Sequence, residues 1–180
     1  AAGRAPPRFP ADREALAAER IAAVLDQLGV AAGDLALSQA ANGADLLFLE
    51  ACQARGARLQ VMLPFAEPEF IERSVLPAGN GEQWRERYFA VIGALAEEPR
   101  IMPEELGPLP AGGRGKAVNA FERCNLWLLH TALAWGVDKV RFVCLWNGGG
   151  GDGPGGTSHM YNEVKRRTGR VNWIDTRRLW

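Results

Sequence analysis

Four short apolar runs, separated by stretches of helical periodicity, restrict this chain to few architectures. They are DLALSQ (Asp34–Gln39), RLQVMLP (Arg58–Pro64), KVRFVCLW (Lys139–Trp146) and RVNWI (Arg170–Ile174). Several are continuously apolar rather than alternating, the pattern of strands covered on both faces. Parallel strands need long crossover connections, and helices usually supply them. The expected fold class is α/β, a mostly parallel sheet containing all four runs with helices on both faces.

The intervening segments support that reading. A helical stripe of Leu16, Ile21, Val24, Leu25 and Leu28 runs from an N-cap at Asp12 to a stop at Gly29. Further helices are expected from about Gly43 to Ala54, from Glu67 through EPEFIERSV, and from Asn80 to Glu98. Two more are expected from about Ala117 to Trp135 and from the Gly-rich turn to Thr168. A brief strand fits Arg100–Met102, and the Pro- and Gly-rich stretch Pro103–Gly115 reads as a loop. The first ten residues, AAGRAPPRFP, cannot start a regular element. A Rossmann-like sheet ordinarily opens with a strand, so either a first strand lies upstream of Ala1, the preferred reading, or the fold is a circular variant. Residues 1–180 read as one domain.

Composition narrows the function classes. Apolar residues make up 47% of the chain, enough for a core without disulfides or metals. The 21 basic and 21 acidic side chains leave a formal charge of zero, which argues against duplex nucleic acid as a partner. Cys52, Cys124 and Cys144 each lie in an apolar run and read as buried free thiols of a reducing compartment. No zinc-ligand spacing is present and no metal or cofactor is expected. No apolar run is long enough to span a bilayer, so no membrane partner is expected and a cytoplasmic location is the default. His130, inside an apolar helix, reads as a hydrogen-bonded core residue. His159 reads as a helix-surface residue, with contact to a bound anion as the alternative.

Two strand-turn-helix junctions carry chemistry. In LWNGGGGDGPGGTSHM a strand is followed by glycines and a helix. Glycines let backbone amides approach an anion, and the helix N-terminus adds partial positive charge. Gly153, Gly155, Gly156 and Thr157 would cradle a phosphate, and Asp152 would face a sugar hydroxyl or a cation. Trp146 is placed to stack on a base, beside Asn147. In SQAANGADLLFLEA, Ser38, Gln39, Asn42 and Gly43 would line the same crevice, and Asp45 lies in the first helical turn. Asn119, Glu122, Arg123 and Asn125 lie on the first turns of a third helix, the first three on one face, where they could line the cleft or form a solvated end.

The small-polar turn before GADLLFLEA, the later GDGPGGT and the proline-terminated strand GARLQVMLPF together resemble the SLOG superfamily. That superfamily joins the DprA/Smf proteins with the LOG phosphoribohydrolases, and the resemblance is greatest to SLOG-type domains of bacterial signalling and defence proteins. It spans about Arg8 to Ile174. It implies a Rossmann-like fold, a nucleotide or nucleotide-derived ligand and homo-oligomerisation.

The departures bear on chemistry. LOG enzymes carry PGGxGTxxE, whose glutamate assists cleavage of an N-glycosidic bond, whereas here the third residue after Thr157 is Met160. The leading expectation is a module that senses a nucleotide-derived messenger and regulates assembly or an attached effector. The alternative is a nucleoside 5′-monophosphate N-glycosidase, for which Glu122, Asp152 and Glu163 are the candidate carboxylates. Single-stranded DNA binding is disfavoured by the neutral charge and the lack of a basic, aromatic-lined stripe.

Overall fold

In a computed structural model of the chain, residues 11–110, 118–149 and 155–180 are described. Strands and helices alternate. The order is α1 (Glu14–Gln27), β1 (Leu35–Ser38), α2 (Ala44–Gln53), β2 (Arg58–Leu63), α3 (Glu67–Phe70), α4 (Gly81–Gly93), β3 (Arg100–Ile101), α5 (Met102–Leu106), α6 (Ala120–Leu133), β4 (Phe142–Trp146), α7 (Thr157–Thr168) and β5 (Val171–Asp175). Every strand pair is parallel. Leu35 aligns with Arg58 and Ser38 with Val61, Met62 with Arg100, and Phe142 with Val171. The class is α/β, consistent with a Rossmann-like arrangement.

The four expected strands do not form one ladder. β1 and β2 join the short β3 in a three-stranded sheet, β1-β2-β3, while β4 and β5 form a separate pair. Side-chain packing joins the two. α1 runs alongside α2 and also packs on β4 and β5, while α6 packs on β1, β2 and α7. Ile21 and Leu25 of α1, Leu46 and Leu49 of α2, and Val61 and Leu63 of β2 are buried in one core that also takes in Ile174 of β5.

Polar residues clamp its rim. Arg87 of α4 pairs with Glu14 of α1 and Glu50 of α2, and its guanidinium lies 4.3 Å above the Trp84 ring. Arg55 at the end of α2 donates to the Ala22 carbonyl at 3.0 Å and to Asp26. These pairs show that α1 and α2 point the same way.

Several expectations need correcting. A 3-10 turn at Ala11–Arg13 precedes α1, whose N-cap position is Arg13 rather than Asp12, with no side-chain cap bond. EPEFIERSV is one α-turn followed by a π-helical turn, Ile71–Val75. Met102–Leu106 is helical although Pro103–Gly115 reads as a loop, because a proline in a first helical turn loses no bond. His130 is exposed, not core. It lies two residues from buried Leu128, about 200° around the helix. All three cysteines are buried free thiols, each pushed up to about 12 by burial, the largest cause.

Gly81 and Gly93 open and close α4 in different surroundings. A Cβ on Gly81 would lie 2.2 Å from the Leu76 carbonyl oxygen, whereas one on Gly93 would meet nothing within 4 Å. Gly81→Ala is expected to destabilise the chain by about 1–3 kcal/mol through overpacking. Gly93→Ala is expected to stabilise it by roughly 0.5–1 kcal/mol through helix propensity. Urea unfolding of both variants checks the opposite signs, and a neutral Gly81→Ala would refute the close approach.

Candidate functional site

The β1–α2 junction is short and strained. Ser38 and Gln39 are each 8% exposed, and Ala40 then takes a left-handed conformation at φ 65° while fully buried. A non-glycine residue there costs on the order of 1–3 kcal/mol, and such outliers concentrate at functional sites. Gly43 follows at φ 85° and places α2, where its lack of a Cβ is needed.

Asn42 holds the junction from below. Its backbone N–H donates to the Ser74 carbonyl at 3.0 Å and its side-chain amide donates to the Val75 carbonyl at 2.9 Å. Both acceptors belong to the π-turn, whose wide winding leaves carbonyls in need of donors. The donors of Asn42 are thus engaged in fixing the turn.

Asp45 organises the turn from inside. Burial is the largest influence on its carboxyl and raises its pKa above the ordinary 3.8. Hydrogen bonds from the Ala41 N–H, the Ser38 hydroxyl and the Gln39 N–H oppose that rise. Part of its remaining surface lines a cavity between the two sheets.

The second junction meets the first through one side chain. Gln39 Nε2 donates to Asn125 Oδ1 at 2.7 Å, and Asn125 Nδ2 donates to the Gly155 carbonyl at 2.8 Å. Gly155 sits at φ 88° against the start of α6, where a Cβ would lie 2.7 Å from the Glu122 nitrogen and 2.9 Å from Phe121 Cβ. The α6 N-cap is Asn119, whose Oδ1 accepts from Phe121 N at 2.9 Å and Glu122 N at 3.2 Å. The N-termini of α2, α6 and α7 therefore converge on one edge, each with partial positive charge. Gly156 is the N-cap position of α7 and Thr157 its first residue, with no side-chain cap bond.

The remaining candidates divide. Glu122 Oε1 lies 3.3 Å from His159 Nε2, so the two form a pair beside Gly155. His159 Nδ1 and Trp146 Nε1 are buried without a hydrogen-bond partner among the described residues. Trp146 packs on Tyr161 and Trp173, with ring centroids 5.3 and 5.6 Å away. Arg123 turns away and donates to the carbonyls of Leu106, Gly107 and Pro108 beyond α5. Glu163 is engaged by Arg166 and Arg167 of its own helix, and the Arg166 hydrogen bond, the largest cause, lowers its pKa. Asn147 is exposed, and its Oδ1 accepts from Gly149 N. Asp152 and Gly153 lie outside the described residues.

Asn125, read from the sequence only as one of the polar residues on the first turns of α6, is the one that joins the two junctions. Its signal was a lone amide in the otherwise apolar CNLWLL, but its partner Gln39 is 86 residues distant. Among the described residues no group of three potential metal ligands forms, and no helix is long and apolar enough to cross a membrane. Comparison of the chain with protein-family models, with curated proteins and with solved structures finds no match.

The buried carboxyl makes stability depend on pH. With its folded pKa raised, Asp45 ionises at a cost to the folded state. That cost is fully present above the folded pKa, shrinks as pH falls through it, and is gone below 3.8. Asp45→Asn stays neutral, so its stability relative to the parent chain is expected to rise from pH 4 to pH 7. Urea midpoints across that range test this, and parallel pH profiles would show that the carboxyl is not perturbed.

Proposed function

We propose that the edge shared by the β1–α2 and β4–α7 junctions binds a nucleotide or nucleotide-derived ligand, and that the chain is a ligand-sensing module of SLOG type. The observation that carries this reading is the relay from Gln39 through Asn125 to Gly155. It ties two strand-end turns into one cleft, at the carboxyl ends of parallel strands where α/β sheets take ligands. Three converging helix N-termini favour an anion there. Trp146 Nε1 and His159 Nδ1, buried and without a partner among the described residues, are polar atoms of the kind that a bound ligand would satisfy.

Sensing fits better than hydrolysis. Departure of a base from a nucleotide builds positive charge at the sugar and needs a carboxylate close by. Glu163 is held by two arginines of its own helix, and Met160 stands where the LOG glutamate would be. Glu122 is near the cleft but is paired with His159. In this reading the ligand is held without turnover, and its binding shifts self-assembly or an attached effector.

Gly156→Val should block close approach of a phosphate to the turn. Loss of one or two amide contacts costs about 1.5–3 kcal/mol each, at least a tenfold change in affinity. Calorimetric titration of nucleoside 5′-monophosphates and cyclic dinucleotides into the parent chain and Gly156→Val measures this, with circular dichroism as the folding control. Thr157→Val should have a smaller effect. Unchanged affinity in folded Gly156→Val refutes the cradle. Release of free base, abolished by Glu122→Gln, would make the protein a hydrolase.

A further inference from the structure

The cavity between the two sheets is a slot with a strand edge along each wall. β1 makes its ladder with β2 on one side, and β4 makes its own with β5 on one side. Among the described residues no strand pairs with the two facing edges. Residues Leu35–Ser38 of β1 and Phe142–Leu145 of β4 line the slot, and α1 and α6 contribute side chains to its lining.

The lining is zoned. Its middle is apolar, with Ile21 and Leu25 contributed by α1, and Leu128 and Val164 by α6 and α7. Polar groups occupy the ends, with Ser38 and Asn125 at the carboxyl end of β1, and Asp34 and Arg141 at the starts of β1 and β4. That is the environment of a central parallel strand, whose side chains are buried on both faces.

The size agrees. The cavity measures about 820 Å³. Five strand residues rising ~3.3 Å each, at ~4.8 Å strand spacing and through a layer ~10 Å deep, fill roughly 800 Å³. An apolar ligand could match the volume, but it would leave two facing rows of backbone N–H and C=O groups unpaired, at a cost comparable to lost hydrogen bonds.

Connectivity identifies the source of the strand. α1 points the same way as α2, which starts from the carboxyl end of β1, so α1 starts at that end too. A slot strand parallel to β1 would finish there, and α1 would then be the crossover of a strand–helix–strand unit leading into β1. We propose that the slot seats a further parallel β-strand of about five residues, apolar on both faces, carried by the same polypeptide and joined to α1 through residues 1–10. Ten residues span up to ~33–36 Å, ample for the link. Their own sequence includes Pro6, Pro7 and Pro10, which cannot donate to a ladder, so the strand lies ahead of them. The strand order becomes β3-β2-β1-new strand-β4-β5. This inference stands on the slot alone and not on the nucleotide reading.

Amide hydrogen exchange tests it. In the 180-residue chain, alternate amides of Leu35–Ser38 and Phe142–Trp146 should exchange fast, because they face the slot. A Val-Ile-Val-Val-Ile extension placed ahead of residue 1 should slow those amides at least about 100-fold and raise the melting temperature. The same extension with proline at its centre should do neither. Slot-facing amides already protected in the 180-residue chain would mean that β1 and β4 close on each other, which overturns the proposal. Equal behaviour of the two extensions overturns it as well. Protection by the same five residues added as a free peptide at micromolar concentration would assign the slot to a partner chain instead. Nucleotide binding is scored separately, so either idea can fail without the other.

Discussion

Backbone hydrogen bonding stops between β1 and β4, and the alignment of the two halves rests on side chains. α1 and α6 span the discontinuity from different elements of the core, and the Gln39–Asn125–Gly155 relay bridges it at the carboxyl edge. Ladder bonds fix register residue by residue, whereas packed helices fix only direction and distance. The relay is therefore what sets the two strand-end turns in a defined relation. Two of its three members are partly buried, so losing one amide would leave its partner short of a hydrogen bond.

The turns are shaped by different means. The first is over-determined: a left-handed alanine, a positive-φ glycine, a buried carboxyl and Asn42 bonded to a π-turn all constrain one five-residue junction. The second is held through Gly155, wedged against the capped start of α6. Both junctions are thus fixed at their described ends, the first by its own backbone and the second by α6.

Much of this could be read from the sequence, and the failures have physical reasons. β2 ends where RLQVMLP suggests, because Gly56 and Pro64 punctuate a run interrupted only by Gln60. Parallel pairing followed from continuous apolar runs separated by helices. Periodicity within one segment carries no information about which neighbour a strand edge meets, so the split between β1 and β4 stayed hidden. Proline counted as a breaker hid α5, although a first helical turn tolerates it. The apolar neighbours of His130 suggested burial, yet its angular position on α6 faces it outward. Asn125 depends on a partner 86 residues away, a distance that local patterns do not reach. At the candidate site, residue types at strand ends were legible, whereas the diversion of Arg123 to the carbonyls beyond α5 was not.

The three rings gathered on the β4–β5 side have an optical consequence. Trp146, Tyr161 and Trp173 lie within 5.3–5.9 Å of one another at fixed tilts. Closely spaced indoles held at fixed angles couple their transitions, and near-ultraviolet dichroism reports such fixed packing. Part of the near-ultraviolet signal of this chain should thus come from the side that carries the glycine turn. The molecule contains a built-in chromophore for that side, readable without any label.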